Sequence, residues 1–369
     1  MTHIAGELEA VLPSLTKPFT LVHLRTDPKK CRKLIYQPKA KKNAKSSFDM
    51  VTSHLLILSY DDLAVYGLEV FVYDSKDCWT LFISKADTSG HYYEDRHKYP
   101  LSIKKLTTAI LRGLIKYHIP FDGSRKPLRV CLFGKSHMQY LFPLSSKNKL
   151  KNILTDRALI KWWIETLEPL VDVFHQDRVK ATLQIPGSDV LSIKSFFPKQ
   201  QLFSWQVGDI FDNELPAVKC IPRFPDDPKS RFLDYLVVEH RALKVSKEQF
   251  FLELQSRQEF RLGSIVGIIG LEGFVKENGI SCAPQSSTHG MISRRYNTLH
   301  DCLLSLDFSK IQSAREGTRS FLSRVGVHSK SIINGKRPAV TADMKRNDAP
   351  EATINVLSTS IIRKKPKIH

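Results

Sequence analysis

The sequence predicts an α+β (mixed α/β) fold built on one main sheet. Three observations predict it: short apolar runs of strand length, amphipathic segments that begin at capping residues, and irregular alternation of the two with no internal repeat. In chain order, Leu55–Ser59, Leu63–Tyr73 and Trp79–Ser84 read as strands. The last two, joined through Asp74-Ser75-Lys76-Asp77, form an antiparallel hairpin. Ser102 caps a helix over 102–117, in which Ile103, Leu106, Ile110, Leu111 and Leu114 share one face. After a strand at Leu128–Phe133, a second helix follows Thr155 and carries Leu159, Trp162, Trp163 and Leu167 until Pro169 ends or kinks it. Ala181–Ile185 and Trp205–Phe211 are further strands. Asp226-Asp227-Pro228 is an acidic cap with proline at the first helical position. Ser246 with Gln249 resembles a capping box, and Asn297–Arg324 is a helical hairpin or one long helix.

Composition bounds the partners. The 56 Lys and Arg exceed the 37 Asp and Glu, a formal +19, which favours an anionic partner and says nothing about fold. Two stretches concentrate that charge. Arg25–Lys45 holds nine Lys or Arg against Asp27 and reads as a loop, and residues 309–369 carry a net +9. The chain closes on Arg363-Lys364-Lys365-Pro366-Lys367, either a nuclear-import signal or a solvated end. The six cysteines make no CxxC pair, which argues against zinc ribbons and disulfide frameworks and suits a reducing compartment. Neither a secretory signal nor a run of ~18 to 20 apolar residues is present, so a soluble intracellular protein is expected. There is no GxGxxG, GxxxxGK[ST], HExxH or GxSxG motif and no regular His/Cys spacing, so no metal is expected. The residues alone reach no further than a basic, mixed α/β protein that binds something anionic.

Four blocks carry more. Phe82-Ile-Ser-Lys-Ala-Asp-Thr88, Gln139-Tyr-Leu-Phe-Pro143 with Ser145-Ser-Lys-Asn148, Trp205-Gln-Val-Gly-Asp-Ile-Phe211, and Phe224-Pro-Asp-Asp-Pro-Lys-Ser-Arg-Phe232 occur in that order. Together they resemble the fungal histone H3 lysine acetyltransferase family, chaperone-dependent enzymes distantly related in fold to the CBP-type acetyltransferases. The resemblance spans roughly residues 50 to 260. It implies a central mixed sheet surrounded by helices, a CBP-like architecture, with acetyl-CoA in a cleft over one sheet edge. It also implies transfer of acetyl to a lysine in the folded region of histone H3 and to tail lysines. Histone H3–H4 is then a partner together with histone chaperones of the anti-silencing and nucleosome-assembly-protein types. The location is the nucleus, in chromatin assembly behind replication and in genome stability. Some members carry a long insertion between the helix at 102–117 and the following strand; here only His118–Pro127 makes that connection.

Residue by residue, the resemblance assigns acetyl-CoA contacts to Ala86, Asp87 and Thr88, and less firmly to Arg96, His97 and Lys98. Read alone, Asp87-Thr88-Ser89-Gly90 is good turn chemistry. Lys147, Lys149 and Lys151, with Asn152, Ile153 and Leu154, precede a helix whose start is a candidate for holding the diphosphate, although a lysine run is ordinarily a solvated face. Phe133, Tyr140 and Trp163 suit core packing. The family sets the equivalents of Tyr140 and Trp163 beside the acetyl group and the lysine channel, where aromatic walls desolvate an amine. Trp162 is then expected in the ordinary core, about 100° around the helix. Asp87, Tyr140, Trp163 and Asp227 are the catalytic candidates. Lys229, bland as an exposed first-turn lysine, matches a residue that the family buries and acetylates by itself. Residues 1–335 are thus expected to form one catalytic domain with a basic loop at 25–47, and 336–369 a basic, mostly disordered tail. The competing readings are a non-catalytic basic nuclear protein that binds nucleic acid or histone–chaperone complexes, and a small-molecule acetyltransferase, which leaves the tail unexplained. Direct nucleic-acid binding and membrane contact are not required.

Overall fold

A computed structural model describes residues 2–36, 48–92, 98–119, 126–175, 179–211, 215–257, 265–276 and 290–338. Three central strands contain the apolar runs Leu55–Ser59, Leu63–Tyr73 and Trp79–Ser84, and the hairpin read from the last two is antiparallel as expected. Strand β1 (Phe19–Arg25) is followed by the short β2 (Lys29–Cys31), β3 (Asp49–Tyr60), β4 (Leu63–Asp74) and β5 (Trp79–Thr88). β3 and β4 are joined by two residues, Asp61 and Asp62, both left-handed (φ 49° and 59°), the backbone that a tight hairpin with native twist requires. The adjacent carboxylates are tied by Lys17 and Arg315 to Asp61 and by Arg319 to Asp62.

Helix α2 (Ile103–His118) carries the chain from β5 to β6 (Leu128–Gly134), which lies parallel to β5, so the connection is a βαβ crossover. The Ser102 hydroxyl accepts the Lys105 N–H, as the cap predicts. Beyond β6 lie β9 (Gly267–Gly273), β7 (Lys180–Gln184) and β8 (Trp205–Val207). On the other flank β10 (Lys330–Ile333) pairs with β1. The order is β10-β1-β3-β4-β5-β6-β9-β7-β8, with β2 on β3, and every pairing is antiparallel except β5–β6 and β7–β8.

Side chains alternate between two buried faces. One face packs under α1 (Thr2–Val11), α2 and α3 (Asp156–Leu167) through Leu56, Leu58, Leu81, Ile83, Val130 and Leu132. On the other, Phe82, Cys131 and Ile268 meet α5 (Ala217–Cys220), α6 (Pro228–Val238) and α7 (Lys247–Leu254). Leu55 and Ile57 on that same side meet α8 (Ser293–Leu304) and α9 (Ile311–Arg324). The segment after β10 returns to α1: Lys336 N–H donates to Glu9 O and Arg337 N–H to Leu12 O. No described helix is long and apolar enough to cross a membrane.

Several expectations need correction. The Trp205 strand stops at Val207, because Gly208 has φ +127° and the Phe211 N–H turns to the Asp209 carboxylate. Part of the basic stretch is not loop: Lys29–Cys31 pairs with β3, and Arg223 bonds the Lys33 and Leu34 carbonyls. Residues 37–47 lie outside the described part. At α7 only half a capping box forms. Ser246 accepts the Gln249 N–H, but the Gln249 amide donates to Glu253 instead of reaching back. The helical stretch near the C-terminus is a hairpin, α8 and α9. Pro169 ends α3 by tightening it into the 3₁₀ turn Glu168–Val173.

Under α1 and α2 lies a chain of three imidazoles. His23 Nε2 is 2.8 Å from His54 Nδ1, and His54 Nε2 is 2.7 Å from His118 Nε2. Burial lowers the pKa of His23 and of His118 to about 3, and holds that of His54 well below its ordinary value. A neutral trio can satisfy both contacts only if the two hydrogen bonds run in the same direction along the chain, the last ring accepting only.

Candidate active site

β5 and β6 run side by side only from Trp79–Leu128 to Ile83–Leu132. Past that point β5 continues through Ser84–Thr88 with no strand partner on its β6 side among the described residues, still paired to β4 through Asp87↔Gly67 and Thr88↔Tyr66. The unpaired overhang forms one wall of a cleft of about 560 Å³. α3 closes the cleft from one face of the sheet and the start of α6 from the other. Its position, at the carboxyl ends of two parallel strands, is where open α/β sheets place ligands. It lies at the middle of the sheet, not over an edge, because β9, β7 and β8 extend the sheet beyond β6.

Ala86, Asp87, Thr88, Phe133, Tyr140, Lys151, Asn152, Ile153, Leu154, Trp163 and Asp227 all line this cleft. Lys98 is exposed and does not line it, and Arg96 and His97 lie outside the described residues. Trp162 corrects its expectation. It is half-buried and lines the cleft beside the buried Trp163, the two rings meeting edge to face at 4.8 Å. Adjacent residues on a helix face different directions, yet a cleft across the end of a sheet is broad enough to take both indoles.

Asp87 is the most heavily engaged residue. Oδ2 accepts the N–H groups of Tyr140 (2.7 Å), Leu141 (2.9 Å) and Phe142 (3.2 Å). Oδ1 accepts the Thr88 N–H (2.8 Å) and the Lys151 ammonium (2.7 Å). Both side chains of that ion pair are about 5% exposed or less. The carboxylate therefore clamps the Tyr140–Phe142 segment onto β5, and all its acceptor capacity is used within the protein. The Lys151 ammonium also donates to Ser145 Oγ (2.7 Å), so it faces inward and does not present its charge to a diphosphate. Lys147 and Lys149 are exposed. The first turn of α3 carries Asp156, bonded to the Ser136 and Ile265 N–H groups, which sets a negative charge where the lysine run promised a positive site. Gly90 makes the packing possible: at φ +76°, a Cβ there would sit 2.5 Å from the Lys151 Cβ.

Tyr140 donates its hydroxyl to the Lys135 carbonyl. Burial, with the nearby Asp87 charge, pushes its pKa well up, so it is a neutral wall and not a base. On the opposite wall, Asp227 caps α6: Oδ1 accepts the Lys229 N–H (3.0 Å) and Oδ2 accepts Ser230 Oγ (3.0 Å) and the Lys229 ammonium. Lys229 is only 3% exposed, and its ammonium also donates to Pro222 O (3.1 Å) and sits 4.7 Å from the Phe224 ring centre. The exposed first-turn lysine of the bland reading is thus excluded. The signal for it lay in the resemblance carried by the Phe224–Phe232 block, not in the residue pattern of the helix start alone. Asp226 lies at the cleft mouth, bonded to Lys85.

The histone acetyltransferase KAT11-type domain family model matches residues 4–126 and 118–324. The chain is 30% identical over 344 residues to histone acetyltransferase RTT109 of Candida albicans, a match that covers 79% of this chain and 92% of that protein. With histone acetyltransferase rtt109 of Schizosaccharomyces pombe it shares 29% over 328 residues, 83% of this chain and 82% of the relative. With that of Aspergillus flavus it shares 31% over 321 residues, 72% of this chain but 55% of the longer relative. Its fold is similar to the crystal structure of Rtt109 from Aspergillus fumigatus, at a TM-score of 0.76, with 24% identity, covering 91% of this chain and 99% of that one.

Proposed function

The chain belongs to the KAT11-type histone acetyltransferase family, and from that premise we propose that its cleft transfers acetyl from acetyl-CoA to lysines of histone H3, in the folded region and the tail, with histone chaperones as partners in the nucleus. The single observation that carries the reading is the overhang of β5. Among the described residues no strand pairs with Ser84–Thr88 on the β6 side, and Asp87 within that stretch fixes it to Tyr140–Phe142 and Lys151. An extended thioester arm needs backbone donors and acceptors along its length, and an unpaired strand edge supplies them.

In the transfer itself the amine nitrogen bonds to the thioester carbonyl carbon, the C–S bond breaks, and the thiol leaves. Acetyl-CoA supplies the activated acyl group; the protein's tasks are alignment and removal of a proton from the lysine. Trp162, Trp163, Phe133 and Tyr140 give the cleft apolar walls that disfavour an ammonium and so ease its deprotonation. Asp87 is a positioning residue, since every lone pair it presents is taken. Asp227 is the candidate proton acceptor on a condition. With Lys229 unmodified both of its oxygens are engaged. Acetylation of Lys229 by its own cleft would remove the cation and leave Oδ2 able to accept a proton. It would leave the buried Asp227 carboxylate as the one remaining charge of the pair.

The test is to incubate the purified protein with labelled acetyl-CoA and H3–H4, with and without anti-silencing-type and nucleosome-assembly-protein-type chaperones, and to map the modified lysines. Label on H3 lysines, together with a Tm raised by acetyl-CoA, supports the reading. No label and no shift would leave the basic, non-catalytic binder.

A further inference from the structure

Beside the cleft, three departures from regular structure converge on one lysine. The β4–β5 ladder pairs Glu69 with Lys85 but Val70 with Ile83, so Ser84 is an extra residue, a β-bulge. In an unbroken strand Ser84 and Lys85 would face opposite sides of the sheet. Here both reach the same carboxylate: Ser84 Oγ donates to Glu69 Oε2 at 2.9 Å and the Lys85 ammonium at 3.1 Å. That glutamate is the second departure, an acidic side chain only 5% exposed in a central strand. The third is Asp226, which accepts the other Lys85 bond at 3.0 Å. It has left-handed backbone, φ +55°, a conformation uncommon for a residue other than glycine. Its side chain is 75% exposed at the mouth of the cleft.

The charges explain why all three are present. Lys85 beside Asp226 alone would cancel it. Glu69 supplies Lys85 with a second, buried counter-charge, so the trio is net negative by one at the mouth of a cleft in a chain of formal +19. His300, 3.4 Å from Glu69 Oε1, adds a positive charge only when protonated. A lysine-rich polypeptide approaching so basic a protein meets long-range repulsion, and a local carboxylate fixes where it can approach.

We propose that Lys85 is a positioning residue for substrate capture: seated on Glu69, it holds the Asp226 carboxylate at the cleft mouth, where Asp226 receives a cationic side chain of the polypeptide substrate. The proposal rests on the lysine acetyltransferase reading above.

Steady-state kinetics on the full chain with H3–H4 test it, in Lys85→Met, Lys85→Arg, Asp226→Asn and the Lys85→Met/Asp226→Asn double variant. Lys85→Met and Asp226→Asn should each raise KM for H3–H4 about tenfold, equivalent to about 1.4 kcal/mol, and in Asp226→Asn KM for acetyl-CoA should move by less than about twofold. The double variant should be no worse than either single one, since both remove the same contact. Lys85→Arg should recover most of the loss, and the KM ratio of the Met and Asn variants to the unaltered protein should shrink toward one as added salt screens the Asp226 contact, which a purely structural role would not produce. Unchanged KM for H3–H4 in Asp226→Asn, or additive losses in the double variant, would overturn the proposal. Asp226 is exposed, so that variant remains readable even if Lys85→Met lowers Tm. A wild-type protein that labels no histone lysine refutes the functional reading itself, whereas an active enzyme with unaltered KM in the variants refutes only the placement of Lys85 and Asp226.

Discussion

Around the cleft, the buried ionisable side chains are arranged as ion pairs: Lys151 with Asp87, Lys229 with Asp227, and, farther along the same face, Lys247 with Asp209. Under α1 and α2 three imidazoles meet, His23, His54 and the half-buried His118, with no carboxylate among their hydrogen-bond partners in the described residues. In the first region every lysine also donates to a second oxygen of the protein, and every aspartate holds backbone or side-chain donors besides its lysine. In the second, burial and the nearby Arg25 keep the rings neutral. Desolvating two charges is costly even when they meet, and apolar replacements are often as stable. Where the fold only needs filling it uses neutral groups. It keeps full charges where they fix the geometry of a site.

Asp87 offers the largest expected break in that contrast. Asp87→Asn leaves the Lys151 ammonium buried without its counter-charge and should cost about 3–5 kcal/mol in stability, with turnover nearly abolished. Asp87→Asn with Lys151→Met should recover most of the stability, because no lone charge remains, but not the turnover, because the Tyr140–Phe142 segment has still lost its clamp. A double variant that regains both in denaturant melts and in acetyl-transfer assays would show the cleft pair to be as dispensable as any core polar group.

Lys229 follows. Intact-mass and peptide analysis of active protein should find acetyl on Lys229. Lys229→Arg should lose about 1–3 kcal/mol of stability and much of the activity, since a five-donor guanidinium meets only the Asp227 carboxylate and the Pro222 carbonyl. Lys229→Gln should lose less. Unacetylated Lys229 in fully active enzyme would reduce this pair to a structural one.

Acid sharpens the comparison from the other side. The folded pKa values of His23 and His118, about 3, lie below those of the unfolded chain, so on acidification the unfolded state takes up protons first. Stability should therefore fall as pH drops from about 6.5, by up to about 1.4 kcal/mol per pH unit for each imidazole held neutral. Tm measured between about pH 7.5 and 5.5 should drop less steeply in a His23→Gln variant. An unchanged slope would mean that the trio is not the acid-sensitive element. The smallest effect belongs to a surface control: Arg319→Ala, which removes an exposed pair with Asp62, should change stability by at most about 0.5 kcal/mol.

Much of this was legible in the residues. The caps at Ser102 and Asp227 form as read, and Ser246 makes its half of the capping box, because a capping side chain bonds its own first turn and needs no distant partner. The hairpin from Leu63 to Ser84 was legible for the same local reason. β9 was not: Gly267, Gly270 and Gly273 dilute its apolar run. At Gly270 a Cβ would lie 3.0 Å from Ile210, so the glycine records the approach of a side chain sixty residues away in sequence. β1 was hidden by the polar Thr20 and His23, which only the tertiary fold buries or pairs. In the site, the cleft-lining set was legible through the family resemblance. The inward turn of Lys151, the full engagement of Asp87 and the bulge at Ser84 were not, since each depends on a partner strand or loop whose register the sequence does not state.

The return of the chain after β10 has a consequence for synthesis. Phe19 pairs with Ile333, and Lys336 and Arg337 bond the carbonyls of Glu9 and Leu12. On the ribosome α1 and β1 emerge before the rest of this sheet, and the edge of β1 that β10 covers stays open until nearly all of the remaining sheet has been translated. Contacts of such long sequence separation form late and slowly, and an open strand edge invites association with other chains meanwhile. The nascent protein is therefore most vulnerable not at its cleft but along a strand far from the chemistry, for the whole time between the first segment and the one that finally covers it.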